Sequence, residues 1–252
     1  MVTALMSDVP TRERLLADLQ DSSALVRQRA ALALVTTPNV TLEDVLVTAV
    51  VNELDPFVRD TLTRALVACS DGVVPGLIAL LSDPVADVRQ HAAHVLGKRA
   101  DRGATDALLQ AVGDEDPVVA CKAVFALGRI REPRSIDTLV TVLAHPVDQV
   151  RRTARDALQA FGADAIPALV SAVANGPAEQ RRQIAYALAA SDSVKGVTAL
   201  RDLLADADPA VRFAALHALI GIDPAAAATA ATALRADPDS KVRALALRIQ
   251  SG

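Results

Sequence analysis

The chain has 252 residues, 52% of them hydrophobic, and carries 26 Lys and Arg against 30 Asp and Glu, a net charge of −4. A chain this long and apolar can bury a core, and the slight acidic excess argues against general affinity for nucleic acid. The apolar residues are chiefly Ala, Leu and Val, with four Phe, one Tyr and no Trp, so small side chains on closely approaching backbones must close the interior, which favours helix on helix.

The opening stretch, MVTALMSDVPTRERLL, lacks a basic region followed by a long apolar run, and no apolar stretch approaches the roughly 18 residues needed to cross a bilayer. Neither secretion nor a membrane span is expected. Cys69 and Cys121 are too few for a disulfide scaffold and too far apart for a zinc knuckle, so a reducing cytoplasm is the expected location.

From residue 11 onward one pattern recurs. TRERLLADLQ is an apolar-periodic segment, followed by a second segment anchored on Val26-Arg27; TLEDVLVTAVVNEL then leads to Val58-Arg59, and PGLIALLSD to Val88-Arg89. TDALLQAVGD leads to Val119-Ala120, SIDTLVTVLAH to Val150-Arg151, IPALVSAVAN to Gln180-Arg181, VTALRDLLAD to Val211-Arg212 and AAATAATALRAD to Val242-Arg243. Successive anchors lie 30 to 32 residues apart. Seven positions after each stands a leucine, from Leu34 to Leu219, with Gln250 taking that place in the last unit. Offsets of −1, +3 and +7 share one face of a helix, so each unit reads as two antiparallel helices. The pairs Asp55-Pro56, Asp83-Pro84, Asp116-Pro117, Asp208-Pro209 and Asp237-Pro238 read as N-caps followed by proline, while Gly97 and Gly128 read as stops of the second helix. One such hairpin cannot bury both of its apolar faces alone, so neighbours must stack. The fold expected is all-α, a right-handed α-solenoid of about eight hairpins of about 31 residues, forming a single domain over residues 1–252. Gln250 and the charged first helix read as polar caps.

The repeated unit resembles HEAT-like repeats, in the short-unit form named after phycobilisome lyases. In that family the second-helix Arg and an acidic residue six positions before the anchor form a ladder of polar contacts between adjacent units. Here the −6 column reads Asp21, Glu53, Asp83, Asp114, His145, Asn175, Asp206 and Asp237. The fourth unit departs, because Ala120 removes the arginine expected opposite Asp114, and the turn there is expected to be looser. The resemblance also implies that the second helices line the concave side of the superhelix.

Columns that change from unit to unit should face water or a partner. On the second helices these are +1, +2, +5 and +9, and they hold Arg29, Arg64, Lys98, Lys122, Arg129, Arg152, Arg182 and Arg248 against Asp60 and Asp156. Phe125 and Tyr186 stand in the +5 column and Phe213 in +1, whereas Phe57 and Phe161 read as loop or seam packing. A basic groove with aromatic anchors is the pattern of a surface that captures an acidic partner. The candidate binding residues are Gln90, His91, His94, Lys98, Lys122, Phe125, Arg129, Arg152, Arg182 and Tyr186, set against a plain solvated face and rings that merely cover seams.

Catalytic readings find little support. His91 and His94 have no third metal ligand, and His217 is several stacking steps away. Cys121 has no reliable partner base, and an inert thiol is the simpler reading. Deoxyhypusine hydroxylase, of the same repeat type, holds iron with His-Glu pairs, and no His-Glu dipeptide occurs in the chain. HEAT-like DNA glycosylases use Trp and Tyr around the damaged nucleotide, of which only one Tyr is present. No Gly-rich phosphate loop occurs. The expected function is a non-catalytic scaffold or adaptor holding an acidic protein surface or segment, with no catalytic residue, metal or cofactor. The alternatives are a nucleic-acid-binding solenoid and a maturation factor resembling bilin lyases. Neither oligomeric state nor partner identity is written in the residues.

Overall fold

The computed structural model describes residues 11–36, 43–189 and 193–251. The first ten residues, which enter the leader reading, lie outside these. Among the described residues the only regular structure is helical. The helices are α1 (Arg12–Leu19), α2 (Ala24–Thr36), α3 (Glu43–Asn52), α4 (Pro56–Ala68), α5 (Val73–Leu80), α6 (Ala86–Arg99), α7 (Thr105–Ala111) and α8 (Pro117–Ile130). They continue as α9 (Ile136–Val142), α10 (Asp148–Phe161), α11 (Ile166–Val173), α12 (Ala178–Leu188), α13 (Val194–Leu203), α14 (Pro209–Ile222), α15 (Pro224–Leu234) and α16 (Ser240–Ser251). Seven of the successive pairs pack as the hairpins that the periodicity predicts.

The chain divides into two compact units, one ending at Ala107 and the other beginning at Leu108. In the first, α1/α2, α3/α4 and α5/α6 form hairpins, with α4 stacked between α2 and α6. In the second, the hairpins are α9/α10, α11/α12, α13/α14 and α15/α16, and α8, α10, α12, α14 and α16 stack in order. The +7 leucines Leu66 and Leu96 in the first unit and Leu127, Leu188 and Leu219 in the second are fully buried. Burying each such side chain is worth about 1.5–3 kcal/mol. Gln180, at a position where other units have Val, is also buried, and its amide donates to Val140 O at 2.8 Å, so the polar group is not stranded.

The hairpin turns divide the aspartates into two jobs. Asp55, Asp116 and Asp208, four before the anchor, are N-caps as expected, each accepting from one or two amides of the first turn with proline next in line. Asp83 and Asp237 are not caps. They stand six before the anchor, and their Oδ1 atoms accept from Val85 N and Asp239 N at 2.8 Å, closing an Asx turn one step ahead of the helix. The reading of Asp-Pro as one motif merged these two registers.

The glycine stops also need correction. Gly97 and Gly128 lie inside α6 and α8, which run on to left-handed caps at Ala100 (φ 55) and Arg131 (φ 56). Gly128 serves close approach instead: a Cβ there would sit 2.8 Å from the Ala157 Cβ of α10.

Candidate interaction face and the arginine ladder

Three of the anchor arginines, Arg27, Arg181 and Arg212, bind in a common manner. Nη1 of Arg212 donates back to the carbonyls of Asp206 and Ala207 in its own hairpin turn, while Nε and Nη2 reach forward to Asp237 Oδ2 and Oδ1 at 2.8 and 2.7 Å. Arg181 does the same with Gly176 O and Asp206, and Arg27 with Asp21 O and Glu53. Each receiving carboxylate also closes its own turn, as Asp206 Oδ1 does from Asp208 N at 2.8 Å. One guanidinium thus staples its own turn and fastens the next hairpin by a bidentate pair. The three carboxyls, Glu53, Asp206 and Asp237, are held below the usual carboxylate range, first by the hydrogen bond from the arginine and against the opposing effect of burial.

This geometry revises the reading of the fourth unit. The ladder runs forward by 25 or 26 residues, so the position answering Ala120 is His145 rather than Asp114. Arginine and acid are missing together at that one joint. Asp114 closes its turn by accepting from Asp116 N at 2.9 Å, and Asp116 caps α8 normally, so the expected irregular turn is regular. At the following joint, where Asn175 offers no charge, Arg151 Nε turns to Glu179 Oε1 at 2.9 Å.

The candidate residues divide between the two units. In the first, Gln90, His91 and His94 are half-buried on α6, and Lys98 is exposed with its Nζ 3.9 Å from Asp60 Oδ1. His91 Nδ1 lies 2.7 Å from Asp87 O within its own helix. Among the described residues no group of three His, Cys, Asp or Glu could hold a metal ion.

In the second unit, α8, α10 and α12 carry the remaining six. Lys122 is half-buried, Arg129 is exposed, and Phe125 presents 44% of its surface. Arg152 is tied to Asp148 one turn earlier, and Arg182 to Glu179 Oε2 at 2.6 Å. Asp148 is held low in pKa mainly by that Arg152 hydrogen bond. Two anions outside the variable columns therefore temper the basic face. Tyr186 is half-buried beneath Arg155, whose Cζ lies 5.5 Å from the ring centroid. Arg155 stands at +4, a column of Ala, Val and Leu in most units, so the column comparison passed over it; a lone charge in an apolar column was the available signal.

Not every variable column is free. At +2, Thr61, Gln183, Ala214 and Leu245 are buried, because this column faces the preceding hairpin: Gln28 Nε2 donates to Thr61 Oγ1 at 2.8 Å, and Thr153 Oγ1 lies 3.9 Å from Cys121 Sγ. Burial pushes the Cys121 thiol up, which lowers its thiolate fraction and favours the inert reading. Of the two rings read as loop or seam packing, Phe161 is buried and Phe57 is 79% exposed. Phe213 stacks on His217 with centroids 6.3 Å apart.

Each unit also carries a cleft along the first helices of its hairpins. One of about 600 Å³ opens between α1 and α3, lined by Leu16, Leu19, Val45 and Ala49 and by the Arg27–Glu53 pair. The other, of about 480 Å³, lies along α13 and α15, where Arg201 pairs with Asp223 at 3.0 Å. In each the arginine is already paired with a carboxylate. No helix among the described residues is long and apolar enough to cross a membrane.

A family model described as HEAT repeats matches residues 74–159 and 162–249. No curated protein sequence matches the chain. Among solved structures, importin beta is similar at a TM-score of 0.56 and 15% identity, over 94% of this chain and 40% of that one, a likeness of fold. The complex of CpcE and CpcF of phycocyanin lyase from Nostoc sp. PCC7120 is similar at 0.46 and 23% identity, covering 96% of this chain and 94% of that chain. Human deoxyhypusine hydroxylase is similar at 0.42 and 23%, covering 95% and 94%.

Proposed function

The chain belongs to the HEAT-repeat family, and from that premise we propose that it is a non-catalytic scaffold whose second helices hold an acidic protein surface or segment. The observation that carries this reading is the row formed by α8, α10 and α12, on which Lys122, Arg129, Arg152 and Arg182 accompany the partly exposed rings Phe125 and Tyr186. Cations steer an acidic partner toward the face and restrict its register, while the aromatic rings supply contact area that loses water on binding. The residues on α6, Gln90, His91, His94 and Lys98, belong to the same proposal as a second patch. Asp148 and Glu179 fit this role, since they hold Arg152 and Arg182 in defined positions until a partner arrives.

The test is capture of binding proteins from the native cell extract by the wild-type chain and by the triple variant Lys122→Glu, Arg152→Glu and Arg182→Glu. Selective loss of a partner that cross-links to the face through an acidic segment, at unchanged helicity and melting temperature, supports the proposal. Equal capture by the variant overturns it. A milder variant, Lys122→Ala with Arg129→Ala, guards against misfolding because it introduces no like charge and neither residue forms an ion pair among the described residues. Binding to DNA or RNA that falls steeply with salt, by about −0.7 to −0.9 in the log–log slope per phosphate, replaces this reading with a nucleic-acid one.

A further inference from the structure

Four arginines crowd the α10–α12 face, and three are answered within the protein. Arg151 meets Asp148 and Glu179, Arg152 meets Asp148, and Arg182 meets Glu179. Arg155 differs. It lies over the Tyr186 ring, and among the described residues no carboxylate pairs with it; its Nε, like those of Arg151 and Arg182, is shielded from solvent without a hydrogen-bond acceptor. A guanidinium laid over a ring has lost much of its rotational freedom and part of its hydration before any ligand arrives. Its remaining N–H edge is a planar fork of the shape that a carboxylate fills with two hydrogen bonds.

We infer that Arg155, seated on Tyr186, is the receptor for one Asp or Glu carboxylate of an extended peptide segment lying across α8, α10, α12 and α14. The inference rests on the scaffold reading above and gives it an anchor and a motif. Rings flank the anchor on both sides: Phe125 on α8, and on α14 the exposed His217 stacked on Phe213, which itself packs onto the core formed with α15 and α16. The anchor straddles α10 and α12, so each flanking ring lies about one and a half helix spacings of about 8–10 Å from it, which at about 3.3 Å per residue of extended chain is roughly four residues. The segment is therefore an acidic residue with an apolar residue about four positions away on either side.

The single tyrosine and the absence of tryptophan make Tyr186 emission a native reporter of this site. The probe is a peptide of roughly nine residues, with leucine at both ends, glutamate at the centre and serine elsewhere, compared with its glutamine-centred and phosphoserine-centred counterparts. Calorimetry provides a second readout. The expected result is saturable binding of the glutamate peptide, with a loss of about tenfold or more for the glutamine peptide and for the Arg155→Gln variant at unchanged helicity. Arg155→Lys restores only part, since an ammonium lacks the fork. Failure of the wild-type chain to bind, equal binding by Arg155→Gln, or tighter binding of the phosphoserine peptide each overturns the inference. If Arg155→Gln binds the probe normally while the triple charge reversal does not, the anchor falls and the basic face stands; if both bind normally, both fall.

Discussion

Arg212 and Asp237, 25 residues apart in sequence, close a bidentate ion pair in which Asp237 keeps 6% of its surface and Arg212 keeps 9%. The pair ties the first turn of α14 to the turn before α16, and it is the most buried of the three bidentate rungs made by Arg27, Arg181 and Arg212. Removing the acid leaves a largely dehydrated guanidinium with only the carbonyls of Asp206 and Ala207. Asp237→Ala should cost about 3 kcal/mol, the lower end for breaking a buried pair because those carbonyls remain. Urea denaturation of the variant measures it.

The ladder also predicts acid sensitivity. Asp237, Asp206 and Glu53 titrate below their unfolded values because Arg212, Arg181 and Arg27 bind the ionised form. The folded chain thus takes up fewer protons than the unfolded chain around the ordinary carboxylate range. The stabilisation is complete above the unfolded value of roughly 4 and disappears as pH falls through it toward the depressed folded values. Asp206→Asn with Asp237→Asn should be less stable at neutral pH but lose less on acidification from about pH 5 to pH 2, as read from denaturation midpoints along that range.

The missing rung offers a double-mutant cycle. Ala120→Arg alone places a cation at a fully buried position opposite His145 and should destabilise. Adding His145→Asp supplies the acid found at that register elsewhere, and the pair should recover about 0.5–3 kcal/mol relative to the sum of the single changes. Additive effects in the cycle refute the forward direction assigned to the ladder.

Two helical glycines make opposite predictions. Gly128→Leu drives side-chain atoms into Ala157 across the α8–α10 packing, with the first added carbon already 2.8 Å from its Cβ, and should cost about 1–3 kcal/mol or more. Gly221 in α14 has nothing within 4 Å of an added Cβ, so Gly221→Ala should stabilise by about 0.5–1 kcal/mol through the smaller entropy loss on folding. Thermal melts of the two variants decide both.

The repeated core was legible in the sequence because a 3.6-residue period written eight times overrides any local ambiguity. Val211, Leu219 and their counterparts mark buried faces without help from coordinates. Turn chemistry was less legible: two aspartates stand two residues apart in these turns, and only geometry separates the capping Asp208 from the ladder acid Asp206. The direction of the ladder was hidden for the same reason, since the acid of one hairpin stands close in sequence to its own arginine yet serves the preceding one. On the candidate face, the charges of Arg152 and Arg182 were visible, but their ties to Asp148 and Glu179 require knowing that −3 and −2 share a helix face with +1. Arg155 was obscured by its apolar column.

Because Arg27, Arg181 and Arg212 grip forward, the hairpins they belong to behave as directional couplings rather than identical bricks. Whole repeats can be exchanged wherever one junction offers a cation and the next an acid. The α8–α10 junction breaks that interchange. It replaces the charge lock with the close fit of Gly128 against Ala157, so the α13/α14 hairpin transplanted there would bring in Arg212 a key for which there is no lock and in Ile220 bulk for which there is no room.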